Sequence, residues 1–532
     1  MASKNRSTLA RATITIAFFS LLSKIVGLLR LNILTSEFSA GDTLDIFYAA
    51  FRAPDFLFNL LILGTFSVAF IPVFCEYLVK DRRQANELAS NILNITLLVM
   101  GGLAVLLIVL APVFVSLIVP GFSPEKQIDV TMLTRIMALS VLLFSLSSVF
   151  SSILNSHKRF TVVAAVPVVY NLAIIFGALV LYPVFGIAGL AWGVVLGAFL
   201  HLVLQIPSAI SAGFRWRPVL NFSSSGVKKI AKLYIPRIFG MDVSQISLLV
   251  STIIGSSLAA GSITFYSLAY DLQALPLGVI AVSFAVVAFP TLSEAFAKND
   301  QQAFREVFNI NLSQILYLII PLSALMLVLR AQIVRLVLGR GQFGWEETIS
   351  TISVFGFFVI SLFAQSLIPL FARAFYAMHN TVVPVTASFI TAAVNIVLAL
   401  ILIKVYGFGV SGLAIAFSAS VFVNLMILFA TLEVKFGNLV DIQLVYKMLK
   451  ITAATVVMGS VVYGSLFIVA PAVDTHTVLG LLIQTIIAAV LGGFVYLGAG
   501  MLLNISESRH MITTGRQWLK KIVTAFSRLP GL

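Results

Sequence analysis

The stretch Ala12–Thr35, ATITIAFFSLLSKIVGLLRLNILT, decides the class of this protein. It is apolar apart from Lys24 and Arg30, and it is long enough to cross a bilayer as one helix. On a helix that rises about 1.5 Å per residue, Lys24 lies about 18 Å from each end, too deep for its ammonium to snorkel to the headgroups. Because a charge at that depth costs at least ~2.5–3.5 kcal/mol, we expect Lys24 to face a polar cavity of the kind that carries a solute.

Composition places the whole chain in the membrane. Of its 532 residues, 60% are hydrophobic and only 10% are charged, and the mean hydropathy is +1.07. Soluble domains are about a quarter charged. The first apolar segment has no signal-peptide cleavage site, so we expect it to stay in the mature chain as a membrane helix. Cys75 is the single cysteine, which argues against a disulfide framework and against a cysteine metal site.

Apolar segments of helical length, separated by short polar breaks, number about fourteen. We therefore predict an all-α polytopic membrane protein. The predicted membrane helices lie at about 12–36, 44–78, 89–118, 131–155, 160–183, 187–212, 230–257, 264–293, 307–329, 349–376, 382–405, 409–432, 448–470 and 477–503.

The basic residues set the predicted orientation. With the N-terminus inside, most of the lysines and arginines fall in segments on the cytoplasmic side, as the positive-inside rule requires. We therefore predict that both termini are cytoplasmic and that the chain crosses the inner membrane of a bacterium. The net charge of +14 is then a topology signal that suits an anionic inner leaflet, and it is not evidence for nucleic-acid binding.

Two parts of the chain repeat each other. A shift of 218 residues aligns Phe47–Ala85 with Phe265–Ala303 without a gap, and the identities include a proline, a glutamate, a lysine and a glutamine. A shift of 223 residues aligns Gly186–Ala191, GIAGLA, with Gly409–Ala414, GVSGLA. We therefore expect helices 1–6 and 7–12 to be two copies of one unit, related by a pseudo-two-fold axis along the membrane normal.

This repeat gives the predicted domain organisation. It comprises an N-lobe at 1–213, an inter-lobe linker at 214–229, a C-lobe at 230–440, helices 13 and 14 at 441–504, and a cytoplasmic amphipathic tail at 505–532. Two lobes around a central cavity suit alternating access.

Charged residues within the apolar segments are the candidate substrate-binding residues, because an intramembrane charge needs a polar cavity or a partner. For Arg237, Asp242 and Arg373, structural pairing or a helix end explains the charge equally well. Gly27 could bend the first helix and bring Lys24 and Arg30 to one cavity. The candidates are Lys24, Arg30, Arg52, Asp45, Asp55 and Asp271.

The sequence lacks the motifs of several enzyme classes. It has no phosphate-binding Gly-x-x-x-x-Gly-Lys-Ser/Thr loop and no zinc-ligand spacing, and its five histidines are scattered. We therefore predict a transporter and not an enzyme, with no catalytic residue, metal or cofactor. Coupling to Na⁺, to H⁺ or to the membrane potential stays open.

Two blocks resemble a known family. Asp45–Pro54, DIFYAAFRAP, and Gly64–Pro72, GTFSVAFIP, are similar to the MurJ/MviN lipid II flippases of the multidrug/oligosaccharidyl-lipid/polysaccharide exporter superfamily. The resemblance runs from about residue 10 to residue 505. It implies an inverted-V fold with two lobes and a cationic cavity for the pyrophosphate and sugars of an undecaprenyl-linked peptidoglycan precursor. It also implies that helices 13 and 14 form a groove for the polyprenyl tail, and that Lys24, Arg30 and Asp45 are functional.

The chain departs from the family pattern at two cations. Phe58 stands where the family has a cavity arginine, and Asp271 stands at another functional arginine. The acid could pair with Arg30 or Arg52 as the lobes close, bind a coupling cation, or contact a substrate hydroxyl or amine. We favour the pair, because it would form in only one state and so bias the cycle.

Together these features predict a flippase that moves lipid II from the inner to the outer leaflet by alternating access. The alternatives are an exporter of another polyprenyl-linked glycan, a cation-coupled multidrug exporter, which Asp271 would favour, and a membrane scaffold. The predicted partners are the lipid-linked glycan, the phospholipid bilayer and cell-wall synthesis proteins, with no nucleic acid.

The depth of Lys24 gives a first test. We expect Lys24→Ala to abolish transport while expression and membrane topology stay near normal. Lys24→Arg should retain much of the activity, since it keeps the charge. Transport by the two variants, measured at matched protein levels, checks this. Full activity of Lys24→Ala would show that the lysine is only tolerated.

Overall fold

The computed structural model describes residues 2–61, 66–238, 243–437, 439–511 and 513. Across these residues the chain is helical and contains no strand, which confirms the predicted all-α class. Three features of the sequence fall outside what is described. They are Asp242, the side chain of Arg237 and the amphipathic tail beyond Thr513.

The helices include short connecting ones between the long ones. They are α1 Ala2–Phe38, α2 Asp42–Leu61, α3 Phe66–Lys80, α4 Arg82–Ile118, α5 Pro124–Ser156, α6 Phe160–Phe176, α7 Tyr182–Phe185, α8 Ala188–Val203, α9 Ile206–Ser211, α10 Ser225–Ile238, α11 Val243–Gly255, α12 Ser262–Pro276, α13 Val282–Ala297, α14 Gln301–Val328, α15 Arg330–Val337, α16 Trp345–Ile360, α17 Leu362–Ala377, α18 Val382–Lys404, α19 Gly409–Phe436, α20 Ile442–Val469 and α21 Val478–Leu502. π-Helical turns at Gly177–Leu181 and Leu277–Ala281 continue α6 and α12, and a 3₁₀ turn at Ala470–Ala472 ends α20.

Polar side chains begin several of the long helices. Asp81 accepts a hydrogen bond from an amide in the first turn of α4, and Ser123 and Thr477 do the same for α5 and α21. Such caps satisfy amides that have no partner within the helix. Pro124 follows its cap directly, at a position where a helix needs no amide hydrogen.

Twelve helices of the described chain are long and apolar enough to cross a membrane, or thirteen if α16 and α17, bent by 41°, form one span. These correspond to all but one of the predicted segments. The exception is the segment at 230–257, where the apolar helix Gln245–Gly255 is shorter and follows the undescribed residues 239–242. The predicted count of fourteen is therefore approximate.

The chain forms two compact units. The first contains Met1–Leu268, Val337–Ser350 and Ile396–Leu413, and the second contains Ala269–Leu336, Thr351–Asn395 and Ala414–Leu532. The division falls within α12, after Leu268. The lobes predicted from the repeat, at 1–213 and 230–440, and their symmetry stay predictions.

Small residues bring the helices of the first unit into close contact. A Cβ added to Gly193 of α8 would lie 2.7 Å from the Cα of Gly177, and one added to Gly189 would lie 2.4 Å from the carbonyl carbon of Leu181. Backbone therefore packs on backbone where α8 crosses the π turn. Gly412, in the second copy of the motif, would meet only side-chain carbons of its neighbours, at 3.2–3.3 Å.

A polar cluster in the second unit joins α14, α20 and the segment after α21. We call Ser313, Tyr317, Lys447, Glu507 and Ser508 the Glu507 cluster. The Lys447 ammonium lies 2.5 Å from the Glu507 carboxylate, which also accepts a hydrogen bond of 2.6 Å from the Ser313 hydroxyl. The hydroxyls of Tyr317 and the fully buried Ser508 lie 2.8 Å apart.

The protonation of Glu507 follows from this environment. Burial acts to raise the pKa of the carboxyl, but hydrogen bonds from Lys447, Ser313 and Ser506 outweigh it and hold the pKa below its usual value of 4.5. A carboxylate with a lowered pKa stabilises the fold above its unfolded pKa, and it loses that contribution as the pH falls through the folded value.

We expect Glu507→Ala to lower the free energy of unfolding by about 1–3 kcal/mol, because it leaves the Lys447 ammonium without its carboxylate. The loss should be largest near neutral pH and should shrink as the pH falls below about 4.5. Thermal unfolding of the detergent-solubilised protein measures both effects. Glu294→Ala is the matched control, because the Glu294–Lys298 pair is exposed and should contribute little. Equal effects of the two variants would contradict a structural role for the cluster.

Candidate functional site

The candidate site in the first unit is built on α2. This helix buries an apolar face that includes Leu44, Phe47 and Ala50. Three polar residues, Asp45, Arg52 and Asn59, follow one another at intervals of seven and therefore share one face. We call these three residues the polar stripe of α2. Each of them bonds to α11, to α12 or to the residues just before α12.

Asp45 holds the start of α12. Its carboxylate accepts hydrogen bonds from the amides of Gly261 and Thr264, at 2.7 and 2.8 Å, and from the Thr264 hydroxyl at 2.7 Å. Only 2% of Asp45 is exposed. The carboxylate thus occupies the amide end of a helix, where a negative charge is favourable and where amides need acceptors.

Gly261 is required for this contact. Its φ of +87° lies in the left-handed region that side chains disfavour, and a Cβ there would lie 2.4 Å from the carbonyl oxygen of Ala40. Neither Gly261 nor Thr264 stood out in the sequence, because their partner Asp45 lies more than 200 residues away. A glycine followed by serine and threonine does, however, mark a helix start.

Arg52 forms the second level of the polar stripe. Its Nε donates to the Thr252 hydroxyl on α11 at 2.8 Å, and one terminal nitrogen donates to the Ser267 hydroxyl on α12 at 2.7 Å. At the third level, the Asn59 amide donates to the Gln245 side chain at 3.4 Å. In this conformation the guanidinium of Arg52 is therefore engaged by neutral hydroxyls.

The cations of α1 are half-buried. α1 is one continuous helix through Gly27, next to which the Asn171 amide donates to the Ser23 carbonyl at 3.5 Å and to the Pro167 carbonyl at 3.0 Å. The Nε of Arg30 is buried and has no hydrogen-bond partner among the described residues. Arg30 also interacts electrostatically with the Tyr170 hydroxyl, and so does Asp55 of α2. Lys24 lies two turns from Arg30 on the same helix.

A cavity of about 260 Å³ lies beside Asp55. The Phe144 ring at its wall contacts the rings of Phe58, Tyr170 and His201, with centroids 5.4, 5.1 and 5.4 Å apart. Phe58 therefore forms part of the wall at the position where an arginine was expected from the family pattern. The cavity is lined by Phe51, Pro54, Asp55, Phe58, Asn59, Ser140, Val141, Phe144, Pro167, Tyr170 and His201.

His201 is a cavity residue that the sequence did not reveal. Its Nδ1 lies 2.6 Å from the Ser147 hydroxyl, and the amide of Gln205 donates to the same hydroxyl at 2.6 Å. A lone histidine in an apolar helix carries no signal for such a place.

The end of α1 is held by residues that belong to the first unit but lie 300 positions away. The Asn32 amide donates to the Val337 carbonyl at 2.7 Å, and the amide of Gln342 donates to the Ser36 carbonyl at 2.9 Å. Gly341 has a φ of +59°, and a Cβ there would lie 2.3 Å from the Ser36 oxygen. We call these contacts the α1 clamp. By the predicted topology, the clamp and Asp45 lie at the outer side of the membrane.

Asp271 lies in the second unit, on the later part of α12, and is half-buried. Its pairing with Arg30 or Arg52 stays a prediction. The other predicted site residues, Lys24, Arg30, Asp45, Arg52 and Asp55, all lie in the first unit. Of these, the structure brings Arg30 and Asp55 together around Tyr170.

Comparisons with known proteins agree with one another. The family model described as "Lipid II flippase MurJ" matches residues 34–484. The "Probable lipid II flippase MurJ" of Buchnera aphidicola subsp. Acyrthosiphon pisum (strain APS) is 31% identical over 428 residues, which cover 79% of this chain and 83% of that protein.

Solved structures extend the comparison. "Lipid II flippase MurJ, inward closed conformation" superposes with a TM-score of 0.75 at 25% identity, and the match covers 94% of this chain and 100% of that one. An inward-facing MATE multidrug transporter of the MOP superfamily has a TM-score of 0.63 at 13% identity, over 80% of this chain and 98% of that one. The second likeness is one of fold alone, and it agrees with the superfamily that the sequence indicated.

We expect Gly261→Ala to destabilise the protein more than Gly407→Ala. Both glycines have a positive φ, so both substitutions strain the backbone by about 1–2 kcal/mol. Only Gly261 also has a backbone oxygen within 2.4 Å of the added Cβ, whereas nothing lies within 4 Å at Gly407. Thermal unfolding of the two variants isolates the cost of the close approach to Ala40. Equal midpoints would mean that α12 moves away freely.

Proposed function

The chain belongs to the lipid II flippase MurJ family, and from that premise we propose how its residues move the substrate. It is a multi-pass membrane protein whose substrate is a lipid-linked molecule of the bilayer. We propose that lipid II passes from the inner to the outer leaflet of the bacterial cytoplasmic membrane by alternating access. The chain itself would catalyse no covalent step and would need no cofactor.

The polar stripe is the observation that carries the mechanism. Asp45 and Arg52 bind the start of α12 and α11 through hydrogen bonds to neutral groups, at the side that the charge distribution predicts to be outside. Neutral hydrogen bonds contribute only about 0.5–1.5 kcal/mol each, because water can replace them. We propose that these contacts and the α1 clamp close the outer side, and that they break when the substrate leaves.

Arg52 would couple the substrate to this opening. A diphosphate oxygen offers the guanidinium a charge-assisted hydrogen bond, which is roughly twice as strong as a neutral one. A substrate that takes Arg52 from Thr252 and Ser267 would therefore favour the state in which that level of the stripe is open. Lys24 and Arg30 would neutralise the remaining charge of the diphosphate.

Asp45 would have a different role from the substrate contact predicted for it. Its carboxylate is buried against α12 in this conformation. A carboxylate would also repel a diphosphate. We propose that Asp45 stabilises the closed outer side and makes no contact with the substrate while that side is closed.

The other parts of the proposal rest on the family and on charge. Helices α20 and α21 would hold the polyprenyl tail, and the Glu507 cluster would fix them to α14. The gradient of Na⁺ or H⁺, or the membrane potential, would drive the cycle. Both termini would lie in the cytoplasm, and cell-wall synthesis proteins would take the substrate onward.

Complementation tests the proposal. In a strain depleted of its own lipid II flippase, the chain should restore growth and the appearance of lipid II in the outer leaflet. Arg52→Ala should lower that rate about 10-fold or more, since a hydrogen bond to a charged group contributes about 1.5–3 kcal/mol. Arg52→Lys should retain part of the rate. A wild-type chain that fails to rescue at normal expression would refute the function.

A matched control separates Arg52 from surface arginines. Arg135 is exposed and donates to the Ile108 carbonyl, away from the stripe. Arg135→Ala should rescue like the wild-type chain. If Arg52→Ala rescues equally well, the coupling of Arg52 to the substrate is wrong.

A further inference from the structure

The cavity beside Asp55 has a wall of aromatic rings. Phe58 of α2 and Tyr170 of α6 both contact the Phe144 ring of α5, so the three rings form a continuous surface. At about 260 Å³ the cavity is smaller than the roughly 300–1,000 Å³ that hold a drug-sized ligand. It would take one side chain or one functional group, and not a disaccharide.

The charge of this cavity is opposite to what a diphosphate needs. Asp55 contributes a carboxylate to the lining, and Phe58 contributes a ring where a cation was expected. Asn59, Ser140 and Tyr170 add oxygen atoms that can accept hydrogen bonds. The electrons on the faces of aromatic rings attract cations, most strongly where water is excluded. A carboxylate, ring faces and neutral acceptors together favour an ammonium group.

We propose that this cavity is a subsite for a primary ammonium group carried by the peptide part of the substrate's headgroup. The inference rests on the proposed function, because lipid II is the molecule that brings an amine and a diphosphate together. Arg30 lies on the other side of Tyr170 from the viewpoint of charge, since it and Asp55 act on that hydroxyl with opposite sign. The anionic and cationic parts of one headgroup would therefore bind to neighbouring residues of α1 and α2.

The inference gives Phe58 and Asp55 a joint role. An arginine at position 58 would place a second cation in the cavity and would repel an amine. An aromatic residue there removes that charge and adds a ring face. The substitution of a cation by phenylalanine would thus make this lobe selective for a substrate with a free amine.

The test compares two forms of one lipid. Lipid II with a free side-chain amine in its stem peptide, and the same lipid N-acetylated at that amine, are titrated against the purified full chain in nanodiscs. The wild-type chain should bind the free amine about 10-fold more tightly, which corresponds to about 1.4 kcal/mol. Asp55→Asn should bring the ratio of the two affinities close to one. Phe144→Leu should lower it in part, because it removes one ring face.

Asp42→Asn is the control for a general loss of negative charge. Asp42 lies on the same helix, but it is exposed and pairs with Lys126 at 2.6 Å, outside the cavity. Its substitution should leave the ratio unchanged. Equal affinities of the wild-type chain for the two lipids, or a preference that persists in Asp55→Asn, would overturn the proposal.

A second probe separates the subsite from the choice of substrate. Saturation-transfer NMR should detect n-propylammonium chloride on the wild-type chain and not on Asp55→Asn, while neutral n-propanol should respond equally to both. If n-propylammonium depends on Asp55 but neither lipid binds, the cavity binds an ammonium group and the lipid II function fails. If n-propylammonium binds both chains equally, the subsite is overturned while lipid II flipping can still stand.

Discussion

A buried carboxylate bound to the first amides of a helix organises the first unit of this protein. Asp45 has lost nearly all contact with solvent, and a charge in that position costs several kcal/mol unless its oxygens find donors. Three donors around Gly261 and Thr264 supply them. The start of α12 and the middle of α2 are therefore fixed together, and Gly261 must remain without a side chain so that Ala40 can lie against it. The positions of Arg52 and Asn59 on the same face of α2 follow from that alignment.

The membrane-spanning segments could be read from the sequence because a bilayer leaves the chain few choices. Backbone groups in hydrocarbon must be bonded within a helix, so long apolar segments become helices whatever they pack against. The segment predicted at 230–257 did not follow this rule simply, since only Gln245–Gly255 of it stands out as an apolar helix. The two π turns and the 41° bend between α16 and α17 were also invisible, because they depend on which neighbour crosses at that level.

The candidate site was predictable as a set of charged residues but not as an arrangement. Depth in the membrane identified Lys24, Arg30, Arg52, Asp45 and Asp55, and these do lie in one unit. Hydropathy could not tell that Asp45 caps a distant helix, since a cap is recognised by its neighbours in space. It could not reveal His201 either, because the ring is placed by Ser147 and Gln205. Gly27 was expected to permit a bend that brings two cations together, whereas α1 runs through it as one helix.

The spacing of the polar stripe has a consequence for the order of events. Its three levels differ in strength, from three short bonds at Asp45, through two at Arg52, to one of 3.4 Å at Asn59. A seam built in this way does not have to part all at once. It can fray from its weak end, about 10 Å at a time along the helix axis, and each stage remains a shallow energy minimum. A carrier with such a seam passes through partly separated intermediates, so the largest barrier that it meets is the release of its last level and not the sum of all three.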